Sequence, residues 1–253
     1  MKIAAVIPAR LGARRFPRKV LARQTGKYLL QHVYERVKDC ETVDRVLVAT
    51  DSAEVAEACQ SFGAEAVMTS DQHVSGTDRV AEVAARLDHD LVINVQGDEP
   101  LIEHDDLAML AQLFQGRDGE GVVMSTLAAE RTDLAGFVDP NIVKVVIAEN
   151  GNALYFSRSP LPYGEPAGGE DAPVEWLQHI GIYAYRREFL LRLAQLPPTR
   201  LEKRERLEQL RVLDHGYKLR VGLTHHEHLG VDTPQEYKQF VERYRLRGQS
   251  SKE

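Results

Sequence analysis

The first hundred residues alternate short apolar runs with segments of helical periodicity, and this alternation limits the folds that the chain can adopt. The helical segments are 28–40 and 77–87, where apolar residues recur on one face. Asp51 with Glu54 three residues later predicts a third, capped helix that ends at Gly63. Because strands that alternate with helices build parallel sheets, the pattern predicts an α/β fold. Its strands are the apolar runs at 2–7, 45–50, 64–68 and 91–95.

The second half of the chain is less regular. A charged helix is predicted over 202–214, and Thr233-Pro-Gln-Glu236 has the cap, proline and glutamate of a helix start. A stretch rich in proline, glycine and acid predicts an excursion over about 159–185 that acts as a lid or a dimer contact. We expect one domain over 1–246 and a flexible tail at 247–253. Further strands are predicted at 122–127, 142–147, 153–157 and 181–185.

Composition narrows the class of protein. The 253 residues are 43% hydrophobic and carry a formal net charge of −6, with no basic stripe, so we expect a globular protein that binds no nucleic acid. Cys40 and Cys59 have neither zinc nor C-x-x-C spacing, which favours free thiols in a reducing cytoplasm. The apolar run near the N-terminus is too short for a signal peptide, and no segment is long enough to span a membrane.

The loop IPARLGARRFPRK at 7–19 follows the first predicted strand and is rich in cations. Ligands bind at the carboxyl ends of strands in α/β sheets, so Arg10, Arg15 and Lys19 are candidates to neutralise a triphosphate. A solvated basic loop is the alternative. The loop matches neither the P-loop pattern nor G-x-G-x-x-G.

Two further stretches carry polar residues at predicted turns. In HVSGTDR, Ser75 and Gly76 precede a helix, where they could meet a nucleotide or simply cap the helix. Asp98 in NVQGDEP and Asp232 in GVDTP offer hard oxygen ligands for Mg²⁺, although Asp232 could instead favour the start of its helix electrostatically. The histidines at 225, 226 and 228 are interpreted as a loop or strand edge, not as a metal site.

Taken in order and spacing, these motifs and four more resemble the 3-deoxy-manno-octulosonate cytidylyltransferase family. The additional motifs are DPNIVKVV at 139–146, LYFSR at 154–158, HIGIYAYR at 179–186 and LEKRERLEQLRVL at 201–213. The resemblance implies a nucleotide-diphospho-sugar transferase-like fold, with a mostly parallel sheet flanked by helices and a smaller excursion in the second half. It also implies a homodimer that uses Mg²⁺ to transfer CMP from CTP to 3-deoxy-D-manno-octulosonate (Kdo). The product, CMP-Kdo, would serve lipopolysaccharide inner-core synthesis.

The resemblance also implies roles for particular residues. Arg10, Arg15 and Lys19 would hold the triphosphate, and Asp98 and Asp232 would hold Mg²⁺; Lys19, Arg10 and the two aspartates form the expected catalytic set. Ser75 and Gly76, with the backbone of Ala9 and Arg10, would contact cytosine. Arg158 is the candidate partner of the sugar carboxylate, since a guanidinium suits that group. The full implied sugar pocket is Gln96, Arg158, His179, Tyr183, Glu208 and Gln209.

One position departs from the family pattern, and three alternative functions stay open. The family commonly has glycine before the clamp lysine, where this chain has Arg18, so an extra charge near the phosphates is expected. A cytidylyltransferase for 8-amino-Kdo shares the same motifs. A sialic-acid cytidylyltransferase shares the basic loop, and a non-catalytic nucleotide-binding protein could share the fold.

Overall fold

A computed structural model describes residues 1–13, 15–116, 119–163 and 174–250, the last four of these by their backbone alone. The chain falls into two compact units, Met1–Leu107 with Glu227–Glu253, and Ala108–His226. The expected single domain over 1–246 and flexible tail at 247–253 stay predictions. The central part of the expected lid or dimer excursion, 164–173, lies outside the described residues.

The first unit contains a parallel sheet with strand order β3-β2-β1-β4. Strands β1 and β4 are apolar and buried along almost their whole length, as expected of parallel strands covered on both faces. The predicted α/β alternation is therefore confirmed. The elements are β1 (Ile3–Pro8), a 3₁₀ helix (Lys19–Leu21), α1 (Leu29–Lys38), β2 (Arg45–Thr50), α2 (Ala53–Ser61), β3 (Ala66–Met68), α3 (Gly76–Ala84), β4 (Leu91–Asn94), α4 (His104–Gln112), which ends in the second unit, and α9 (Pro234–Ser250).

The cap predicted for α2 is wrong by one residue. Ser52, not Asp51, caps the helix, because its backbone is extended and its hydroxyl accepts from the Val55 amide at 3.4 Å. The Asp51 carboxylate instead accepts from the buried guanidinium of Arg79 at 2.5 Å. A buried arginine needs such a partner, and this demand cannot be read from the local sequence.

The second unit is a mixed sheet. Strand β5 pairs in parallel with β9 and antiparallel with β8, while β6 pairs antiparallel with β7 and β8. Parallel pairing therefore dominates the first unit and not the second. The elements are β5 (Val122–Arg131), α5 (Leu134–Val138), β6 (Lys144–Ile147), β7 (Ala153–Ser157), β8 (Trp176–Arg186), α6 (Arg187–Leu193), α7 (Arg200–Glu205), α8 (Gln209–Asp214) and β9 (Lys218–Leu223).

The helix predicted over 202–214 is two helices. Thr199 caps α7 with a capping box to Glu202, and the chain then turns at Arg206, which has a left-handed backbone at φ 58° and ψ 45°. This turn lets Leu207 bury its side chain before α8 begins. Burial of one leucine thus overrides a continuous helical pattern.

Two further features concern helix length and the cysteines. None of the helices in the described part of the chain is long and apolar enough to cross a membrane. Cys40 and Cys59 are buried free thiols, and burial raises the pKa of Cys59 to about 11, which keeps its thiol protonated and unreactive.

Candidate active site

The basic loop after β1 brings Lys19 into the interior of the first unit. Ala9, itself buried, donates its amide to Ala49 O at 2.9 Å, and the Arg18 amide closes the loop on Leu11 O at 3.1 Å. The 3₁₀ helix begins at Lys19, whose side chain is only 11% exposed. A lysine so enclosed needs partners for its charge.

Those partners are the two predicted metal ligands. The Lys19 ammonium contacts Asp98 Oδ2 and lies 2.8 Å from Asp232 Oδ1, while Arg15 pairs with the other carboxylate oxygen of Asp232. Burial alone would lower the pKa of Lys19, but the charges and hydrogen bonds of Asp98 and Asp232 outweigh it and raise that pKa. Sequence positions far apart therefore meet in one cation-carboxylate cluster.

The start of α9 fixes Asp232 in this cluster. The carboxylate of Glu236 accepts from the amides of Asp232 and Thr233 at 2.8 and 2.7 Å, and Thr233 Oγ1 accepts from the Glu236 amide. The predicted capping box is thus confirmed. One residue earlier, the Val231 amide donates to Asp98 O at 2.8 Å, so the two aspartates are also joined through the backbone.

Glu99 is a third acid beside the cluster, and the sequence reasoning missed it. Its Oε2 is buried and has no hydrogen-bond partner among the described residues. Burial, then the charges of Asp98 and Asp232, raise the pKa of Glu99 to about 8, against the opposing effect of Lys19. The signal in the sequence was the second acid of NVQGDEP.

A cleft of about 660 Å³ opens over this cluster within the first unit. Gly97 lines it, and a Cβ there would lie 3.1 Å from Pro8 O, so the close approach of the backbone favours glycine. The cleft brings together the predicted triphosphate residues, both aspartates and one predicted sugar residue. The polar and charged side chains along it are Arg10, Arg15, Lys19, Gln96, Asp98 and Asp232.

The predicted cytosine residues lie at the start of α3. Ser75 caps this helix by accepting from the Asp78 amide at 3.1 Å, so its side chain has the structural role that was the alternative. Gly76 is exposed and sits close to Pro8, whose Cγ would lie 3.6 Å from a Cβ at position 76. Their role in cytosine binding stays a prediction.

The backbone conformation at Arg18 shows why glycine suits this position. Its backbone is left-handed, at φ 61° and ψ 20°, a region that glycine enters freely and L-residues enter at a cost. Its guanidinium pairs with Glu54 and lines a separate cleft of about 530 Å³ beside α2. The extra charge is therefore directed to Glu54, and Arg18 does not line the cleft that holds Lys19.

The other predicted sugar residues lie in the second unit. Arg158 follows β7, and its amide donates to Glu205 Oε2 at 3.0 Å. Its Nε and Nη1 donate to Glu205 O and Pro140 O at 3.1 and 3.0 Å. Within the described residues, Nη2 has no hydrogen-bond partner, so this nitrogen can meet a ligand.

His179 and Tyr183 are neighbours on β8, with ring centroids 5.6 Å apart. Burial lowers the pKa of His179 to about 3, so the ring is neutral near pH 7, and its Nε2 lies 3.0 Å from Thr126 Oγ1. Burial, aided by Glu208, raises the pKa of Tyr183 well above its ordinary value. Both rings therefore offer neutral hydrogen-bonding groups.

Glu208 and Gln209 stand at the start of α8. A carboxylate oxygen of Glu208 lies 3.9 Å from Arg211 Nη2. Gln209 is 4% exposed, and its Nε2 has no hydrogen-bond partner in the described part of the chain. A buried amide without a partner is costly, and a polar ligand would relieve it.

The donor set at Asp98 and Asp232 fits Mg²⁺. Both carboxylates already converge on one cation, the Lys19 ammonium, and Mg²⁺ typically takes one or two carboxylates with substrate phosphates. No group of three or more His, Cys, Asp or Glu side chains suited to a metal occurs in the described ranges. The histidines at 225, 226 and 228 thus form no such group, and His228 is buried 3.2 Å from Asp106.

Comparisons with known proteins identify the family. The cytidylyltransferase family matches residues 4–219, and the chain belongs to it. It is 47% identical to the 3-deoxy-manno-octulosonate cytidylyltransferase of Geotalea daltonii, over 98% of this chain and 100% of that one. The enzyme of the same name from Geobacter metallireducens is also 47% identical, over 96% and 98%.

A solved structure agrees with these relatives. CMP:2-keto-3-deoxy-manno-octonic acid synthetase complexed with CTP superposes with a TM-score of 0.89 at 42% identity, covering 98% of this chain and 100% of that one. The resemblance inferred from the motifs and the nucleotidyltransferase fold are both confirmed.

Proposed function

We propose that the protein transfers CMP from CTP to Kdo and releases pyrophosphate. The observation that carries this proposal is the convergence of Lys19 with Asp98 and Asp232 beneath a cleft lined by Arg10 and Arg15. Such a site can bind a triphosphate and a divalent cation at once. Relatives named for this reaction at 47% identity support the same conclusion.

The cationic side chains act on the phosphates. Arg10 and Arg15 are exposed in the cleft and attract the triphosphate, while the buried Lys19 offsets charge that gathers on the phosphates and the leaving pyrophosphate. The raised pKa of Lys19 keeps it charged for this role. As phosphate oxygens arrive, the lysine can exchange a carboxylate partner for a phosphate.

Asp98 and Asp232 would hold Mg²⁺. When bound, the ion lowers the charge repulsion around the α-phosphate and makes the attacking sugar hydroxyl more acidic. The backbone link from Val231 to Asp98, with the Glu236 cap, keeps the two carboxylates oriented. The proposed transfer therefore relies on positioning and electrostatics: the sugar hydroxyl bonds to the α-phosphorus, pyrophosphate leaves, and the hydroxyl proton passes to solvent without a dedicated general base.

The residues of the second unit are proposed to bind the sugar acid. Arg158 offers Nη2 to the carboxylate, and the neutral His179 and Tyr183 suit the sugar hydroxyls. Gln209 supplies a buried amide that lacks a partner among the described residues. Glu208, next to it in the sequence, completes the proposed set in this unit. The role of Gln96, which lines the cleft of the first unit, stays a prediction.

The remaining properties are proposals that rest on the family resemblance. They are a homodimer in the cytoplasm, Mg²⁺ as the cofactor, and a product that serves lipopolysaccharide inner-core synthesis. Analytical ultracentrifugation of the purified protein tests the homodimer. Turnover after chelation, followed by addition of Mg²⁺, tests the metal.

Pyrophosphate release tests the reaction. We expect release with CTP, Mg²⁺ and Kdo, and much less with N-acetylneuraminate in place of Kdo. Preference for 8-amino-Kdo would keep the reaction and change the acceptor. Release with sialate alone would contradict the Kdo assignment. Binding of CTP without release for any acceptor would favour a non-catalytic nucleotide-binding protein.

A further inference from the structure

Lys144 is a wholly buried lysine outside the proposed catalytic cluster. It is the first residue of β6, opposite Ser157 of β7, and it has no solvent exposure. It stands in an otherwise apolar run, KVVI, where a buried cation is costly unless every hydrogen finds an acceptor. The burial of this charge therefore needs a structural explanation.

Its ammonium is fully satisfied by backbone carbonyls. Nζ donates to Asp139 O and Ile142 O at 2.8 Å each and to Arg158 O at 3.1 Å. An ammonium has three hydrogens, so these bonds use all of them. Burial lowers the pKa of Lys144; the negative charge of Asp139 opposes this, and the positive charge of Arg158 adds a smaller lowering. The three acceptors nevertheless suit only the charged form.

Glu205 binds the Ser157–Arg158 segment, whose Arg158 carbonyl Lys144 also binds. Its Oε1 accepts from Ser157 Oγ at 2.8 Å, and its Oε2 accepts from the Arg158 amide at 3.0 Å. The amide of Arg158 is thus bonded to a carboxylate and its carbonyl to an ammonium. Charged groups therefore fix the backbone on both sides of the Arg158 Cα.

The same two residues also control the Arg158 side chain. Its guanidinium donates to Glu205 O and to Pro140 O, and Pro140 lies in the 139–142 turn that Lys144 binds at two carbonyls. Loss of the ammonium would release both the turn and the arginine carbonyl. The position of Nη2 depends on this frame, although Lys144 itself points at carbonyls and not at a ligand.

We propose that Lys144 is a positioning residue for the acceptor: with Glu205 it orients the Arg158 guanidinium toward the carboxylate of the sugar acid. This inference rests on the proposed function, since it assigns the sugar acid to Arg158. It separates Lys144 from Lys19, which acts on phosphates. The effect of Lys144 should therefore appear in acceptor affinity and leave CTP affinity unchanged.

The test is steady-state pyrophosphate release by Lys144→Met, with Kdo and CTP varied separately. We expect KM for Kdo to rise roughly tenfold and KM for CTP to stay within about twofold. Lys218→Met is the matched control, because Lys218 is exposed on β9 and donates to one carbonyl, Glu120 O, at 3.3 Å. It should behave as wild type.

A merely structural role gives a different result. If Lys144→Met only reduces the folded fraction, the apparent kcat falls and both KM values stay near wild type, and the proposal is overturned. Should Lys144→Met not fold, Glu205→Gln decides, because it weakens the opposite side of the frame. We expect it to raise KM for Kdo about threefold or more; an unchanged KM would overturn the proposal.

Failure of the proposed function looks different again. A folded wild-type protein that binds CTP and releases no pyrophosphate with Kdo overturns both the function and this inference. Wild-type activity with an unaltered KM for Kdo in both variants overturns the inference alone.

Discussion

Lys19 and Lys144 are both buried, but their partners differ in kind. Lys19 binds two side-chain carboxylates, one of them on Asp232, whose side chain is 46% exposed. Lys144 binds three backbone carbonyls and has no exposure. A carboxylate side chain can rotate toward an arriving ligand, whereas a carbonyl moves only with its backbone. The first lysine is therefore built to exchange partners and the second to keep them.

The pKa directions express the same difference. Burial opposes the charge of both lysines, but full negative charges on Asp98 and Asp232 reverse the effect at Lys19 and raise its pKa. At Lys144 burial prevails and the pKa is lowered: the charge of Asp139 opposes burial without outweighing it, and the ammonium itself is bonded only to carbonyls. The type of partner thus distinguishes Lys19, whose carboxylates keep it charged for phosphate binding, from Lys144, whose carbonyls hold the backbone in place.

The strongest test of this comparison replaces a partner of Lys19. Asp98→Asn removes a proposed metal ligand and one of the two charges that hold the lysine. We expect kcat to fall on the order of 10³-fold or more, because the Mg²⁺ that would offset negative charge in the transition state loses one of its two carboxylate ligands. The measurement is pyrophosphate release at saturating CTP and Kdo.

Asp88→Asn is the matched control for that variant. Asp88 is fully exposed and faces Lys2 at 3.3 Å, so turnover should stay at the wild-type rate. Near-normal turnover of Asp98→Asn would remove Asp98 from the catalytic set and leave Lys19 as an ordinary buried ion pair.

Matched substitutions at the two lysines should separate stability from metal response. Lys144→Met removes the ammonium from three carbonyls, and among the described residues only Asp139 O keeps another donor, the Ile142 amide. We expect this loss to cost roughly 3 kcal/mol of unfolding free energy. Lys19→Met leaves two carboxylates that solvent partly reaches, for a loss of about 1–2 kcal/mol. Urea unfolding without metal measures both values.

Added Mg²⁺ then discriminates between them. It should restore stability to Lys19→Met more than it stabilises wild type, because the two carboxylates no longer have the ammonium as partner. It should not restore Lys144→Met. Equal responses of all three proteins would contradict the assignment of Asp98 and Asp232 as metal ligands.

The third test uses the pH dependence of Glu99. Its pKa in the folded protein is about 8, above its ordinary 4.5, so the folded state holds a proton that the unfolded state releases. This contribution to stability is complete below pH 4.5 and is lost as pH rises through 8. Between pH 5 and 7 the metal-free wild type should lose roughly 2 kcal/mol relative to Glu99→Gln.

Urea unfolding of both proteins across that pH range gives the result. Parallel stability curves would mean that Glu99 is already ionised in the folded protein. The cluster would then hold three negative carboxylates, and the account of Lys19 as the cation between two of them would fail.

The sequence predicts a structural feature of this protein when the interactions that cause the feature lie between residues close together in the chain. Strand β2 and strand β7 have the predicted ends, because apolar runs bounded by turns are local signals. The break at Arg206 was missed, since it accompanies the burial of Leu207, and burial depends on the folded chain. Periodicity carries no such information.

The candidate site shows the same limit. Asp98 and Asp232 meet at Lys19 from 79 and 213 residues away, and only the family resemblance paired them in advance. Lys144 lies in a motif that the sequence analysis quoted without giving it a role. Its acceptors are backbone carbonyls, which every residue has, so no residue type announces them.

The smallest expected effect concerns Arg18, the neighbour of Lys19. Arg18→Gly removes a left-handed backbone strain of about 1 kcal/mol and loses an exposed ion pair worth about 0–1 kcal/mol. We therefore expect stability to be unchanged or slightly higher. KM for CTP should stay within about twofold, because the guanidinium lines the cleft beside α2.

Arg18→Ala separates the two contributions to stability. It loses the ion pair with Glu54 and keeps the left-handed backbone, so it should be less stable than Arg18→Gly by about 1 kcal/mol. Urea unfolding measures that difference, and KM for CTP is measured for both variants. If both weaken CTP binding fivefold or more, the Arg18 charge reaches the phosphates, and the nucleotide contacts assigned to Lys19 must be shared with its neighbour.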